Sequence, residues 1–83
     1  MSKMTHINAT VDFKNWEAGR YDLRIPAHQS TKALIINLME TLKIPPYYGT
    51  IYGIKSVNKG ILLRYDEKIA DFPITDGDVL EIL

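Results

Sequence analysis

Residues 30–46 read Ser30-Thr-Lys-Ala-Leu-Ile-Ile-Asn-Leu-Met-Glu-Thr-Leu-Lys-Ile-Pro-Pro46, and the fold turns on this stretch. Leu34, Leu38 and Leu42 recur every four residues with Ile35 and Met39 beside them, while Lys32, Asn37, Glu40 and Lys43 fall on the other side. That period is helical and leaves one apolar stripe to be buried. Ser30 suits the N-cap, since its hydroxyl can accept from a backbone N–H of the first turn, although position 33 offers no Glu or Gln to close a capping box. Lys43 complements the negative end of the helix dipole, Pro45 excludes Ile44 from helical geometry and Pro46 has no backbone donor, so the helix ends near Lys43. Leu38, in the middle of the stripe, is expected at the centre of the helix–sheet contact.

The flanking sequence supplies the sheet. Residues 5–13 alternate strictly, with Ile7, Ala9, Val11 and Phe13 on one face and His6, Asn8, Thr10 and Asp12 on the other. After the polar turn of residues 14–19, Tyr21, Leu23 and Ile25 alternate with Asp22 and Arg24 up to Pro26, which makes a hairpin with the first strand. A lone hairpin is marginal in water, so the helix needs further strands. Residues 51–57 and 61–64 flank Asn58-Lys59-Gly60, whose Asn and Gly accept the positive φ of a tight turn. With Lys55 facing water, Tyr52, Ile54 and Ser56 point to the core and Ile51, Gly53 and Val57 point out. Residues 65–78 carry Ile69, Phe72 and Ile74 in a short irregular or one-turn helical segment ending in the turn Thr75-Asp-Gly-Asp78. In the last strand, 79–83, Leu80 and Ile82 face in, and Val79, Glu81 and Leu83 face out.

With 83 residues, the chain reads as one domain over 1–83, able to bury roughly 60–65% of its unfolded surface. It has no cysteine, which excludes disulfides, zinc–thiolate sites and thiol nucleophiles. The N-terminal residues lack the apolar stretch of a signal peptide and no run could span a bilayer, so a cytoplasmic location without membrane insertion is expected. Ten basic and ten acidic side chains leave no net charge to draw the chain to nucleic acid, and protein partners are expected instead.

The order strand, strand, helix, strand, strand, short turn, strand resembles the ubiquitin-like β-grasp, an α+β fold with a mixed sheet of four to five strands and one central helix. Ile44-Pro45-Pro46 and Ile69-Ala-Asp-Phe-Pro-Ile74 are similar to the corresponding stretches of ubiquitin. Closer still, Val11-Asp-Phe-Lys14 with Tyr21-Asp-Leu-Arg24, the Asn58-Lys59-Gly60 hairpin and Ile74-Thr-Asp-Gly-Asp-Val-Leu-Glu-Ile-Leu83 resemble the YukD/EsaB family, ubiquitin-like proteins of type VII (ESX-like) secretion. The resemblance implies a non-enzymatic accessory or regulatory part in exporting small helical proteins, with secretion-machinery proteins as partners.

The residues themselves offer little chemistry. Asp22, His28 and Ser30 lie close in sequence, but without a glycine elbow or oxyanion loop they read as routine structural groups and not as a catalytic triad. His6 and His28 have no metal-ligand spacing, Asp76-Gly-Asp78 is too short for a calcium loop, and no glycine-rich loop cradles phosphate, so neither metal nor cofactor is expected. Lys14, Arg20, Arg24 and Lys55 could favour RNA, but Asp12, Glu17 and Asp22 interleave with them. Trp16, in a polar turn, either projects as a binding anchor or folds back over the sheet edge. Carried over from ubiquitin, the recognition patch is Trp16, Ile51, Val79 and Leu83, interrupted by Gly53 and Lys55. Tyr47 and Tyr48 form a second candidate surface, or cover the helix end. A conjugated modifier is the alternative function, but it requires a flexible Gly-Gly tail, whereas Glu81-Ile82-Leu83 reads as strand. Covalent conjugation is therefore not expected.

Overall fold

The computed structural model describes residues 5–45 and 51–83. Strand β1 (His6–Asp12) leads through a 3-10 turn (Lys14–Trp16) to β2 (Arg20–Pro26) and helix α1 (Thr31–Leu42). Strands β3 (Ile54–Ser56) and β4 (Ile61–Leu63), a second 3-10 turn (Ile69–Asp71) and β5 (Val79–Ile82) follow. The five strands form one sheet in the order β2-β1-β5-β3-β4, in which β1 and β5 run parallel and every other neighbouring pair is antiparallel. This is the mixed five-stranded α+β arrangement that the resemblance to the β-grasp implied.

The alternation is realised as read in β1, where Ile7, Ala9 and Val11 are buried together with Phe13. Leu34, Ile35 and Met39 of α1 are buried in the same core as Leu80 and Ile82 of β5. Leu38 is not at the centre. It lies at the margin of the contact, beside Leu23 and Ile25 of the edge strand, and Ile35 is the more enclosed. Leu38 lines the groove between α1 and β2, whereas Ile35 keeps no exposed surface.

Both helix ends are closed by hydrogen bonds. Ser30 Oγ accepts from Ala33 N at 3.2 Å, as expected of the N-cap, while the Thr31 and Lys32 amides donate to the carbonyls of Glu67 and Tyr65. The segment before the second 3-10 turn thus satisfies donors that a helix start leaves open. At the other end Lys43 takes a left-handed conformation (φ 57°), and the Ile44 and Lys43 amides return to Met39 O and Glu40 O. This is a Schellman closure with a non-glycine residue at the turning point, stabilised by burial of Ile44 against the core.

Residues 51–57 do not form one strand. Ile54 and Ser56 face the core and Lys55 faces water, as read, but β3 begins only at Ile54 because Tyr52 sits at φ 54°. Tyr52 is only half-buried, with Lys32 Nζ 5.5 Å from its ring centroid, and Gly53 is buried where exposure was expected. The Ser56 hydroxyl is buried without a hydrogen-bond partner among the described residues.

Candidate functional site

The solvent face of the sheet is polar over β1 and β2 and becomes apolar beyond β5. Register accounts for this. Lys55 stands opposite both Glu81 and Leu62, so Leu62 is carried to the outer face while its neighbour Leu63 enters the core. Ile51 is 71% exposed, Leu62 57% and Tyr65 59%, and with Leu83 they surround a pit of about 200 Å³ that has Arg64 on its rim. Gly53 forms its floor. A Cβ at Gly53 would lie 3.3 Å from Leu83 Cδ1 and 3.5 Å from Leu63 O, so Leu83 packs closely over the bare glycine and would have to give by a few tenths of an ångström to admit a side chain. Gly53 therefore shapes the apolar surface instead of interrupting it.

One wall of the pit is fastened from behind. The Leu83 amide donates to Gly53 O, and the Leu83 carbonyl accepts from Trp16 Nε1 at 3.1 Å. Three consecutive residues of the first 3-10 turn hold the end of β5. Lys14 Nζ lies 3.4 Å from Glu81 Oε2, Asn15 Nδ2 donates to Glu81 Oε1 and to Ile82 O, and Trp16 donates to Leu83 O. β1 pairs with β5 only as far as Asp12–Glu81, because the chain turns away at Phe13, whose amide donates to Gly19 O. The side chains of Asn15 and Trp16 thus replace the backbone donors that β1 no longer offers. The Asn15 hydrogen bond and the positive charges of Lys14 and Lys55 hold the Glu81 carboxyl below its usual range against the opposing effect of desolvation.

The residues expected to form a patch divide. Ile51 and Leu83 share the pit, and Leu62 and Tyr65 join them unforeseen. Trp16 folds back: it is half-buried, edge-on to Phe13 at 6.0 Å between ring centroids, and its indole N–H donates to Leu83 O at the edge of the site. Val79 is separate, opposite Thr10 and bonded through its carbonyl to Val57 N, with Lys55 and Glu81 between it and the pit. Tyr47 and Tyr48 lie outside the described residues. Alternation could have revealed Leu62, since an Ile-Leu-Leu strand with its third residue buried must expose its second.

The groups weighed for chemistry have other partners. Ser30 caps α1, Asp22 Oδ1 accepts from Thr10 Oγ1 at 2.6 Å on the far face of the sheet, and Asp76 Oδ1 accepts from the Asn8 amide. Among the described residues no group of three or more His, Asp or Glu side chains is placed to hold a metal ion. Of the basic residues weighed for RNA, Lys14 pairs with Glu81 and Arg20 with Asp12.

Residues 6–82 match the family described as "WXG100 protein secretion system (Wss), protein YukD". The chain is 37% identical over 78 residues to the type VII secretion system accessory factor EsaB of Staphylococcus aureus (strain Newman), covering 94% of this chain and 96% of that one. It is 32% identical over 80 residues to the ESX secretion system protein YukD of Bacillus subtilis (strain 168), covering 94% and 99%. A chain solved under the description "Molecular Mimicry of SUMO promotes DNA repair" superposes with a TM-score of 0.72 at 17% identity, covering 99% of this chain and 95% of that one, a likeness of fold alone. No helix among the described residues is long and apolar enough to cross a membrane.

Proposed function

The chain belongs to the YukD family of WXG100 secretion proteins, and from that premise we propose that it serves type VII secretion as a cytoplasmic, non-enzymatic accessory protein acting through noncovalent contacts at the Ile51–Leu62–Tyr65–Leu83 pit. The observation that carries the site is the gathering of three large, mostly exposed apolar side chains around a buried glycine. Clustered exposed apolar groups with an aromatic member are the usual makings of a binding hot spot. The pit would take an apolar side chain of a secretion-machinery protein, with Arg64 at the rim available to an acidic neighbour.

The test pairs capture with export. Leu62→Asp is expected to keep the parent's melting temperature, because the side chain is already exposed, while losing co-purification of secretion components from the native cytoplasm and lowering export. Undiminished capture by that variant would refute the pit. Blots of boiled, denatured lysate should show one band at monomer mass, and a ladder of adducts mapping to Leu83 would refute noncovalent action.

A further inference from the structure

A second surface lies at the opposite edge of the sheet. Among the described residues β2 pairs with β1 alone, and hydrogen bonds flanking that ladder fix which backbone groups face away from it. The Phe13 amide donates to Gly19 O at one end and the Ala27 amide to Thr5 O at the other. In an antiparallel pair, opposed residues alternate between bonded and non-bonded pairs, so Tyr21, Leu23 and Ile25 bond to β1. The N–H and C=O groups of Arg20, Asp22 and Arg24, and the Pro26 carbonyl, therefore point away from the sheet. Below this edge runs a groove of about 230 Å³ between β2 and α1, lined by Leu23, Ile25, Leu38 and Leu42 with Asn37 and Thr41 at its margin.

We propose that this edge pairs antiparallel with the same edge of a second copy, centred on Leu23. In that register Arg20 faces the second copy's Pro26, Tyr21 faces Ile25, Asp22 faces Arg24 and Leu23 faces Leu23. Both copies use the full length of β2. Each Asp22–Arg24 pair is a bonded pair whose outward side chains carry opposite charge. The core-side row is apolar throughout. Sliding by one pair in either direction sets Asp22 against Asp22 or Arg24 against Arg24, so charge selects a single register. The two-fold axis is normal to the sheet, which brings both helices to one face and sets the two β2–α1 grooves against each other. Asn37 and Thr41 at their margins are uncharged, and Arg24, which also lines each groove, is the residue set against the second copy's Asp22. The pairing thus covers a bare sheet edge and two apolar grooves at once.

The test uses the full chain in sedimentation velocity across micromolar to millimolar concentration, with hydrogen exchange read at individual amides. The parent is expected to be a concentration-dependent dimer in which the Asp22 and Arg24 amides gain protection on association. D22R alone and R24D alone should each be monomeric, whereas their equimolar mixture and the double variant D22R/R24D should pair. Because the Arg24 amide faces outward, R24P removes an intermolecular donor and no internal ladder bond, so it should give a folded monomer by circular dichroism. A parent that stays monomeric to millimolar concentration would overturn the proposal. So would a dimer that survives R24P, or a mixture of the single variants that fails to associate.

Discussion

Asp78 is a sensitive point of the fold. Its carboxylate is nearly enclosed, and Oδ2 receives both Lys59 Nζ at 2.6 Å and the Thr75 amide at 2.9 Å. It joins the Asn58-Lys59-Gly60 turn to the Thr75–Asp78 turn that launches β5. Its removal by Asp78→Ala strands the Thr75 amide and deletes a charge-assisted bond, each worth about 1–3 kcal/mol when partly buried. Lys59 is 32% exposed, so solvent screening reduces the ionic share, and we expect a loss of about 2–4 kcal/mol. For a domain of this size that lowers the melting temperature by roughly 10–25 °C. Asp78→Asn retains an acceptor for Thr75 and should lose about half as much. Burial alone would raise the Asp78 carboxyl, but the Lys59 hydrogen bond, the Thr75 amide and the Lys59 charge together hold it below the usual range. A carboxyl lowered in the folded state contributes stability that is complete above its ordinary range and is lost as the pH falls toward the lowered value. The gap in melting temperature between parent and Asp78→Asn should therefore close on acidification from neutral pH. A gap independent of pH, or an Asp78→Ala variant that melts with the parent, would refute the reasoning.

Three further outcomes follow from packing, each read from thermal or urea melts. Ile35→Ala should cost about 3–4 kcal/mol and Leu38→Ala only about 2–3, since the marginal site can take in solvent and collapse more easily; the reverse order would misplace the helix. Trp16→Phe keeps the ring contact with Phe13 but forfeits the indole donor to Leu83 O, for a loss of about 1 kcal/mol, and Trp16→Ala should lose clearly more. Ser56→Ala should raise stability by about 1 kcal/mol by removing a buried hydroxyl that has no partner among the described residues.

What the sequence conveyed follows from the range of each interaction. The period of α1, the Ser30 cap and the alternation of β1 are local, and each appears in the structure where the residues imply it. The Lys43 closure was hidden because a lysine carries no sign of left-handed geometry; the returning amides and the burial of Ile44 stabilise it. Tyr52 disguised the start of β3 for the same reason. The role of Trp16 depends on Leu83, at the far end of the sequence, and no period connects them. The pit combines the register of three strands with a close approach at Gly53, a product of tertiary structure that alternation hints at only in Leu62.

The position of β5 has a kinetic consequence. The β1–β2 hairpin and the β3–β4 hairpin pair with β5 and not with each other, and the parallel ladder sets Thr10 beside Val79. Each hairpin can form from nearby sequence, whereas the centre of the sheet requires closure of a loop spanning most of the chain. Assembly is thus set by a non-local step, slow in comparison with a helical bundle of equal length. Until β5 docks, β1 and β3 both carry bare inner edges, open to pairing with other chains. During synthesis β5 is the last of these strands to emerge, so substitutions at Leu80 or Ile82 should prolong an aggregation-prone interval, and soluble yield should fall further than melting temperature alone would indicate.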